Sequence, residues 1–326
     1  MIHFYKRIPF IKFLTFIAIV FFINSCSNKK PMPSSTTNWC DKELRPELKA
    51  LKEIKTDRDW FKVYLVGDSV YAIVEPYNFQ EVISYLILGK EKALLFDTGM
   101  GLDSMSALVK ELTTLPLTVL NSHTHFDHVG GNHEFDNILA MNTDFTRKNA
   151  LQGYAHDIVK EEVQPDAFCL QRLPKRDTAN YKIKPFAITR FINDGYEINL
   201  GDRTLKVIAA PGHAPDAIAL LDEKSGYLWV GDSFYEGPIW LFAEGTDLAA
   251  YEKSIEKLSS FVPKLKIVFP AHNNPVTDPK ELTDTYHAFM EIKNGSKKGK
   301  ATEDGAVLFE FGKFSFLIGK NYLNDK

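Results

Sequence analysis

His123-Thr124-His125-Phe126-Asp127-His128-Val129-Gly130-Gly131-Asn132 places four potential metal ligands, three histidines and an aspartate, within six residues, directly after a strand-like run, Leu117–Leu120. On an extended segment, positions two apart share a side, so His123 and His125 converge on one point. Asp127 continues the alternation, and a turn at His128 aims that imidazole at a neighbouring position. Gly130-Gly131 permits the tight backbone path needed before the next element. Two adjoining metal positions account for the segment. Imidazole and carboxylate ligands suit Zn²⁺, with Fe or Mn as alternatives at N/O sites. A lone histidine is ordinarily a satisfied polar side chain; this cluster reverses that expectation.

Three further places complete a set. His213 stands in the Pro/Gly turn Ala210–Asp216 after the strand-like Leu205–Ala209, Asp232 follows Tyr227–Val230, and His272 follows Ile267–Phe269. Each lies at a strand end, where a rigid scaffold can hold short side chains on loops. Other strand-like runs are Val70–Val74, Val82–Leu88, Ala93–Phe96, Ile218–Leu221 and a closing hairpin, Val307–Phe311 with Phe314–Ile318. Helical spacing marks Met105–Leu112 behind an Asp103-Ser104 N-cap, Leu248–Val262 and Leu282–Met290. Strands with helices between them give a mixed α/β or α+β class. No repeat or second low-complexity linker interrupts the chain after about residue 55, so residues 56–326 read as one catalytic domain.

With these residues in place, the sequence resembles the metallo-β-lactamase superfamily of metallohydrolases. The HxHxDH motif falls on His123–His128, the later ligands on His213, Asp232 and His272, and Asp97-Thr98-Gly99 matches the family's early Asp motif, which is structural. The resemblance covers about residues 56–290 and implies a four-layer αβ/βα sandwich with a metal groove at one edge of the two sheets. It implies two Zn²⁺ per chain: His123, His125 and His213 on the first, Asp127, His128 and His272 on the second, Asp232 bridging. Two cations flanking one water supply hydroxide near neutral pH, polarise a carbonyl and hold the departing oxygen, so no covalent intermediate is expected. Asp127 is expected to orient the bridging hydroxide and carry its proton. Tyr235 matches in offset the tyrosine that binds the carbonyl oxygen in the family's lactonases; its other reading is a groove-lining aromatic.

Asp232 narrows the chemistry. The common β-lactamase subclass has a metal-binding cysteine in this region, and none occurs here after Cys169. His125 stands where the flavin-dependent di-iron branch has Glu, which argues against redox work. The reading is a hydrolase of small-molecule or polymer-borne esters or lactones. β-Lactam or thioester hydrolysis, or a non-catalytic metal-binding surface protein, are the alternatives. Pro238, Ile239, Trp240 and Phe242 read as core, or as an apolar wall for an acyl or ring group. Residues 152–190 carry Pro165, Pro174 and Pro185 and a basic stretch from Arg172 to Arg190. They read as a surface insertion, or as a loop over the site that attracts an anionic substrate. His133, His156 and His287 fall outside the ligand set.

Composition sets the remaining bounds. At 44% hydrophobic and 25% charged, the 326-residue chain is neither disordered nor fibrous. Its net charge is −3, and setting aside Lys6, Arg7 and Lys12 leaves 36 basic against 42 acidic residues, or −6, so nucleic acid is not an expected partner. Those three cations precede an apolar run, Phe13–Ile23, about half the ~20 residues a spanning helix needs. The run ends in Ile23-Asn24-Ser25-Cys26, which resembles a bacterial lipobox. Residues 1–25 then form a lipoprotein-type signal, Cys26 takes the lipid, and 26–55 form a polar tether and N-terminal extension. The expected address is an exported lipoprotein held to the bilayer, in the outer membrane, periplasm or cell surface. Cys40 and Cys169 could pair in an oxidising compartment, but spacing does not show that they approach.

Overall fold

The structure is a computed structural model describing residues 45–169, 172–303 and 305–323. The signal, Cys26, Cys40 and most of the expected tether lie outside the described residues. The fold begins before residue 56, however: a short helix, α1 (Pro46–Lys49), leads into an edge strand, β1 (Lys52–Ile54). That strand pairs antiparallel with β2 (Lys62–Gly67).

The first sheet continues in chain order through β3 (Val70–Val74), β4 (Ile83–Leu88), β5 (Ala93–Phe96), β6 (Leu117–Leu120), β7 (Ile138–Met141) and β8 (Arg190–Ile192). Pairing is antiparallel as far as β5 and parallel from β5 to β8. A parallel crossover needs a helix, and α2 (Met105–Leu112) supplies it between β5 and β6. Ser104 caps α2, its Oγ accepting from Ala107 N–H at 3.3 Å. The second sheet runs β9 (Glu197–Asn199), β10 (Thr204–Ala209), β11 (Ile218–Asp222) and β12 (Tyr227–Gly231). Next in the chain, β13 (Pro238–Leu241) leaves for a third sheet, and β14 (Ile267–Pro270) returns to pair parallel with β12. The third sheet adds β15 (Lys300–Ala301), β16 (Ala306–Phe311) and β17 (Phe314–Gly319).

Central strands read as continuous apolar runs because both of their faces are covered. In β4 and β5, Ile83, Tyr85, Ile87, Leu94 and Phe96 pack against Leu205, Val207, Trp229 and Phe269 of the second sheet. Their alternates, Leu86, Ala93 and Leu95, pack on Met105, Leu108 and Val109 of α2. The second sheet's outer face, through Leu221, Leu228 and Val230, lies in one core with Tyr251, Ile255 and Phe289. These belong to two long helices, Leu248–Ser259 and Lys280–Lys293. Helix, sheet, sheet, helix: the four-layer αβ/βα arrangement is realised. Burial of each such apolar side chain is worth about 1.5–3 kcal/mol.

Loops at one end of the two central sheets carry the chemistry. Among the described residues, no helix is long and apolar enough to cross a membrane. Cys169 is disulfide-bonded.

Candidate metal centre

β6 delivers Asn121, Ser122 and His123 in sequence, and the chain stays extended through His125 (φ −66°, ψ 157°). There it turns into one helical turn, Phe126–Val129. The alternation expected through Asp127 therefore stops at His125, and Asp127 and His128 reach a second position from the helical turn instead. Gly130 follows with an ordinary φ of −58°. Its requirement is space, since a Cβ there would sit 2.2 Å from the Met100 carbonyl carbon.

The expected ligands meet. His125 Nδ1 lies 2.9 Å from His123 Nε2 and 2.9 Å from His213 Nε2. Asp127 Oδ2 is 3.4 Å from both His128 Nε2 and His272 Nε2. Asp232 stands between the two groups: Oδ1 is 3.4 Å from His128 Nε2, and Oδ2 is 3.2 Å from His272 Nε2 and 3.5 Å from His213 Nε2. Among the described residues, the His/Cys/Asp/Glu groups that could hold a metal ion are drawn from these seven side chains alone.

Donor chemistry tests whether cations fit. His128 Nε2 and Asp232 Oδ1 are buried and hydrogen-bond to nothing in the protein, an arrangement costly unless something else satisfies them. The opposite ring nitrogens are engaged. His128 Nδ1 meets Asp97 Oδ2 at 3.0 Å, His123 Nδ1 meets Ser122 Oγ at 3.1 Å, and His213 and His272 Nδ1 each lie 2.7 Å from a carbonyl, of Trp240 and Gln80. Such partners fix the tautomer and leave the inward lone pair for a metal. Asp97 is itself held at φ +68°, with Oδ1 accepting from Ser122 N–H at 2.7 Å.

Electrostatics divide the centre. Burial and neighbouring imidazoles push His125 down to about 3 and His123 well below the usual range, so both are neutral donors. Burial also opposes a proton on His128, but Asp127, Asp232 and Asp97 outweigh it and carry that group well above its usual value. Asp232 is held well down: burial resists ionisation, and His272 and His128 overcome it. The buried carboxylates and inward-facing imidazole nitrogens form a donor set that fits metal cations.

Tyr235 lines the groove beside His272. Its hydroxyl donates to Pro238 O at 2.6 Å and accepts from Trp240 N–H at 3.3 Å, while its ring lies 4.9 Å from that of His272. The groove-lining reading is the one the geometry supports, because the hydroxyl is engaged with β13. A groove of about 330 Å³ opens over the centre, lined by the aromatic rings of Phe126, Phe145, Tyr154, Trp240 and Phe242. Ile239 and Leu241 point into the core instead, so β13 divides by strand alternation into wall and core. No described residue from 172 to 190 lines the groove. Lys175 pairs with Asp59, and Arg176 binds Glu134 and Gly101 O. The segment 152–190 does reach the groove through Gln152, Gly153, Tyr154 and Ile158, while its basic stretch is engaged in these contacts away from the groove lining. His133, His156 and His287 stay outside the ligand groups.

One supporting network escaped sequence reading. Asp216 Oδ2 accepts from Thr124 and Thr146 hydroxyls at 2.6 and 2.9 Å, and Asn149 and Tyr154 donate to Thr124 O. Together they clamp the residue between His123 and His125. Nothing in the spacing of these five residues announces it.

Comparison with known proteins agrees with the geometry. The chain is 26% identical over 235 residues to acyl-coenzyme A thioesterase MBLAC2 of Bos taurus and of Homo sapiens, spanning 66% of this chain and 82% of each relative. It is 26% identical over 254 residues to the probable metallo-hydrolase YqjP of Bacillus subtilis (strain 168), spanning 70% and 76%. Among solved structures, the metallo-β-lactamase family protein TTHA1429 from Thermus thermophilus has a similar fold, with a TM-score of 0.51 at 20% identity over 70% of this chain and 81% of that one. Residues 79–272, more than half of the chain and every candidate ligand, match the family model of the metallo-β-lactamase superfamily, and the chain belongs to that superfamily of metallohydrolases.

Proposed function

We propose that this protein is a dinuclear zinc hydrolase that cleaves a carboxylic ester or lactone. The observation that carries the reading is Asp232 between two histidine groups, with its Oδ1 and His128 Nε2 buried and otherwise unpartnered. His123, His125 and His213 would hold one cation, Asp127, His128 and His272 the other, and Asp232 both. When bound, such a pair supplies a hydroxide-like nucleophile at neutral pH and Lewis-acid polarisation of a carbonyl.

The chain's own residues do the rest. Asp127, ionised and facing the groove, accepts and relays the attacking water's proton. Asp97, Ser122, Gln80 O and Trp240 O hold the imidazoles in orientation, so no reorganisation is needed as charge develops. Aromatic walls exclude water from an apolar acyl or ring group.

Thioester hydrolysis is the second reading, favoured by the thioesterase relatives. Against a coenzyme A substrate, Lys148 is the one cation among the described groove-lining residues, and it pairs with Glu244 at 2.8 Å. Export and acylation at Cys26 belong to the same proposal, from the N-terminal sequence. The test is a panel of lactones, aryl esters, thioesters, phosphotriesters and a chromogenic β-lactam, each with and without chelator. Chelator-sensitive turnover of esters or lactones above thioesters supports the reading. Silence across the panel from a protein holding two metals per chain would point to a non-catalytic binder.

A further inference from the structure

His272 Nδ1 lies 2.7 Å from the carbonyl oxygen of Gln80, so whatever fixes Gln80 fixes this imidazole. Gln80 sits in a turn that Glu81 N–H closes on Asn78 O at 3.0 Å. Glu162, 82 residues beyond Gln80 in the chain, holds that turn twice. Its Oε2 accepts from Gln80 Nε2 at 2.8 Å, and its carbonyl accepts from Asn78 Nδ2 at 2.9 Å. Asn78, fully buried, in turn accepts through Oδ1 from Gln80 N–H at 2.9 Å.

The stretch that carries Glu162 is itself well docked. Phe79 N–H donates to Ala167 O, and Cys169 N–H donates to Tyr77 O, each at 3.0 Å. Val159, Val163 and Phe168 pack in one core with Trp60 and Tyr77, while Ile158 lines the groove. Apolar burial and backbone bonds therefore suffice for docking. The Glu162 carboxylate has a different target, the amide of a groove-lining side chain. With Gln80 held at its N–H, its amide and its carbonyl, His272 Nε2 faces Asp127 and Asp232 at 3.4 and 3.2 Å. Partners of this kind orient a ligand imidazole, and losing one weakens metal binding.

We propose that Glu162 is a positioning residue for the second cation, acting through Gln80 on His272. The inference rests on the two-cation reading above. Its test titrates Zn²⁺ into the chelator-stripped full chain, followed by calorimetry. Glu162→Ala lowers the second cation's affinity about tenfold and leaves the first within about twofold. Glu162→Gln, whose amide oxygen still accepts from Gln80, keeps both affinities. Gln80→Ala retains the carbonyl but loses the amide that Glu162 holds; it matches Glu162→Ala, and the double variant loses no more. An unchanged second affinity in Glu162→Ala, equal losses at both positions, an equal loss in Glu162→Gln, or additive losses in the double variant overturn the proposal. A second readout needs no metal. The His272 Nδ1 proton, observed by NMR, exchanges with water about tenfold faster in Glu162→Ala than in wild type or Glu162→Gln. Equal exchange in all three overturns the proposal. Uptake of a single cation by wild type would sink the two-cation reading, and exchange at His272 would then decide the role of Glu162.

Discussion

Asp97 and His128 are joined by a 3.0 Å contact between Oδ2 and Nδ1, while the other Asp97 oxygen holds Ser122 N–H at 2.7 Å. One carboxylate thus fixes a candidate ligand and the backbone beside another. Removing it in Asp97→Ala leaves the buried Ser122 N–H unpaired and His128 Nδ1 with only a 3.4 Å contact to Ser122 Oγ, and should cost about 2–5 kcal/mol of stability. Affinity for the second metal should fall about 10–100-fold. Denaturant titration and metal titration read the two losses separately, and an unchanged second-metal affinity would refute the orienting role.

Asp232→Ala should abolish the second metal and nearly all turnover, because it removes the one carboxylate among the described residues that reaches both histidine groups. His156→Ala and His287→Ala should retain both metals, since neither residue belongs to the ligand groups. Metal content per chain, measured on purified protein, decides the assignment.

Gly130→Ala tests packing rather than dihedral strain. Its φ suits any residue, but the new Cβ would fall 2.3 Å from Met100 O as well as on its carbonyl carbon. Backbone cannot yield as a flexible side chain does, so the loop carrying Asp97 must separate from the helical turn carrying His128. A loss of about 3 kcal/mol is expected. A melting temperature matching wild type would contradict the close approach.

Glu75 links stability to pH. Burial raises its carboxyl from 4.5 to about 7, although Trp60 Nε1 and Met100 N donate to it at 2.7 and 2.8 Å and pull the other way. The folded chain therefore binds this proton more tightly than the unfolded chain. Its contribution is fully present below about pH 4.5, declines as pH rises toward about 7 and is lost above that, amounting to at most about 3 kcal/mol. Comparing urea midpoints at pH 5 and pH 8, Glu75→Gln should lose less stability than wild type across the interval. Parallel losses would remove Glu75 as the cause.

Tyr235→Phe separates two roles. If the hydroxyl serves only to hold β13, the variant loses about 1 kcal/mol of stability and shows mainly a raised KM. A fall in kcat of about 100-fold or more at constant KM would restore the hydroxyl to the substrate's carbonyl oxygen.

Sequence legibility follows the range of each interaction. β3 and β5 carry uninterrupted apolar runs, β6 an apolar run broken only by Thr118, and all three match the expected strands end to end. β8 and β9 are three residues long, bordered by polar groups, and leave no such signature. β1 hid in a segment that composition assigned to the N-terminal extension, because edge strands need little apolar surface.

From the order of residues alone came the seven candidate ligands, their places at strand ends and a mixed α/β class, because alternation and strand-end loops are local consequences of backbone geometry, while the four-layer arrangement was implied by the resemblance to the superfamily. Only the folded chain decided which nitrogen each imidazole turns inward, since the fixing partners come from far away: Gln80 lies 192 residues from His272, and Asp97 lies 31 from His128. Tertiary packing likewise turned the Tyr235 hydroxyl toward β13 and set the basic stretch away from the groove. Hydrogen bonds and ion pairs of that reach arise when two sheets close on each other, and no periodicity in the chain encodes them.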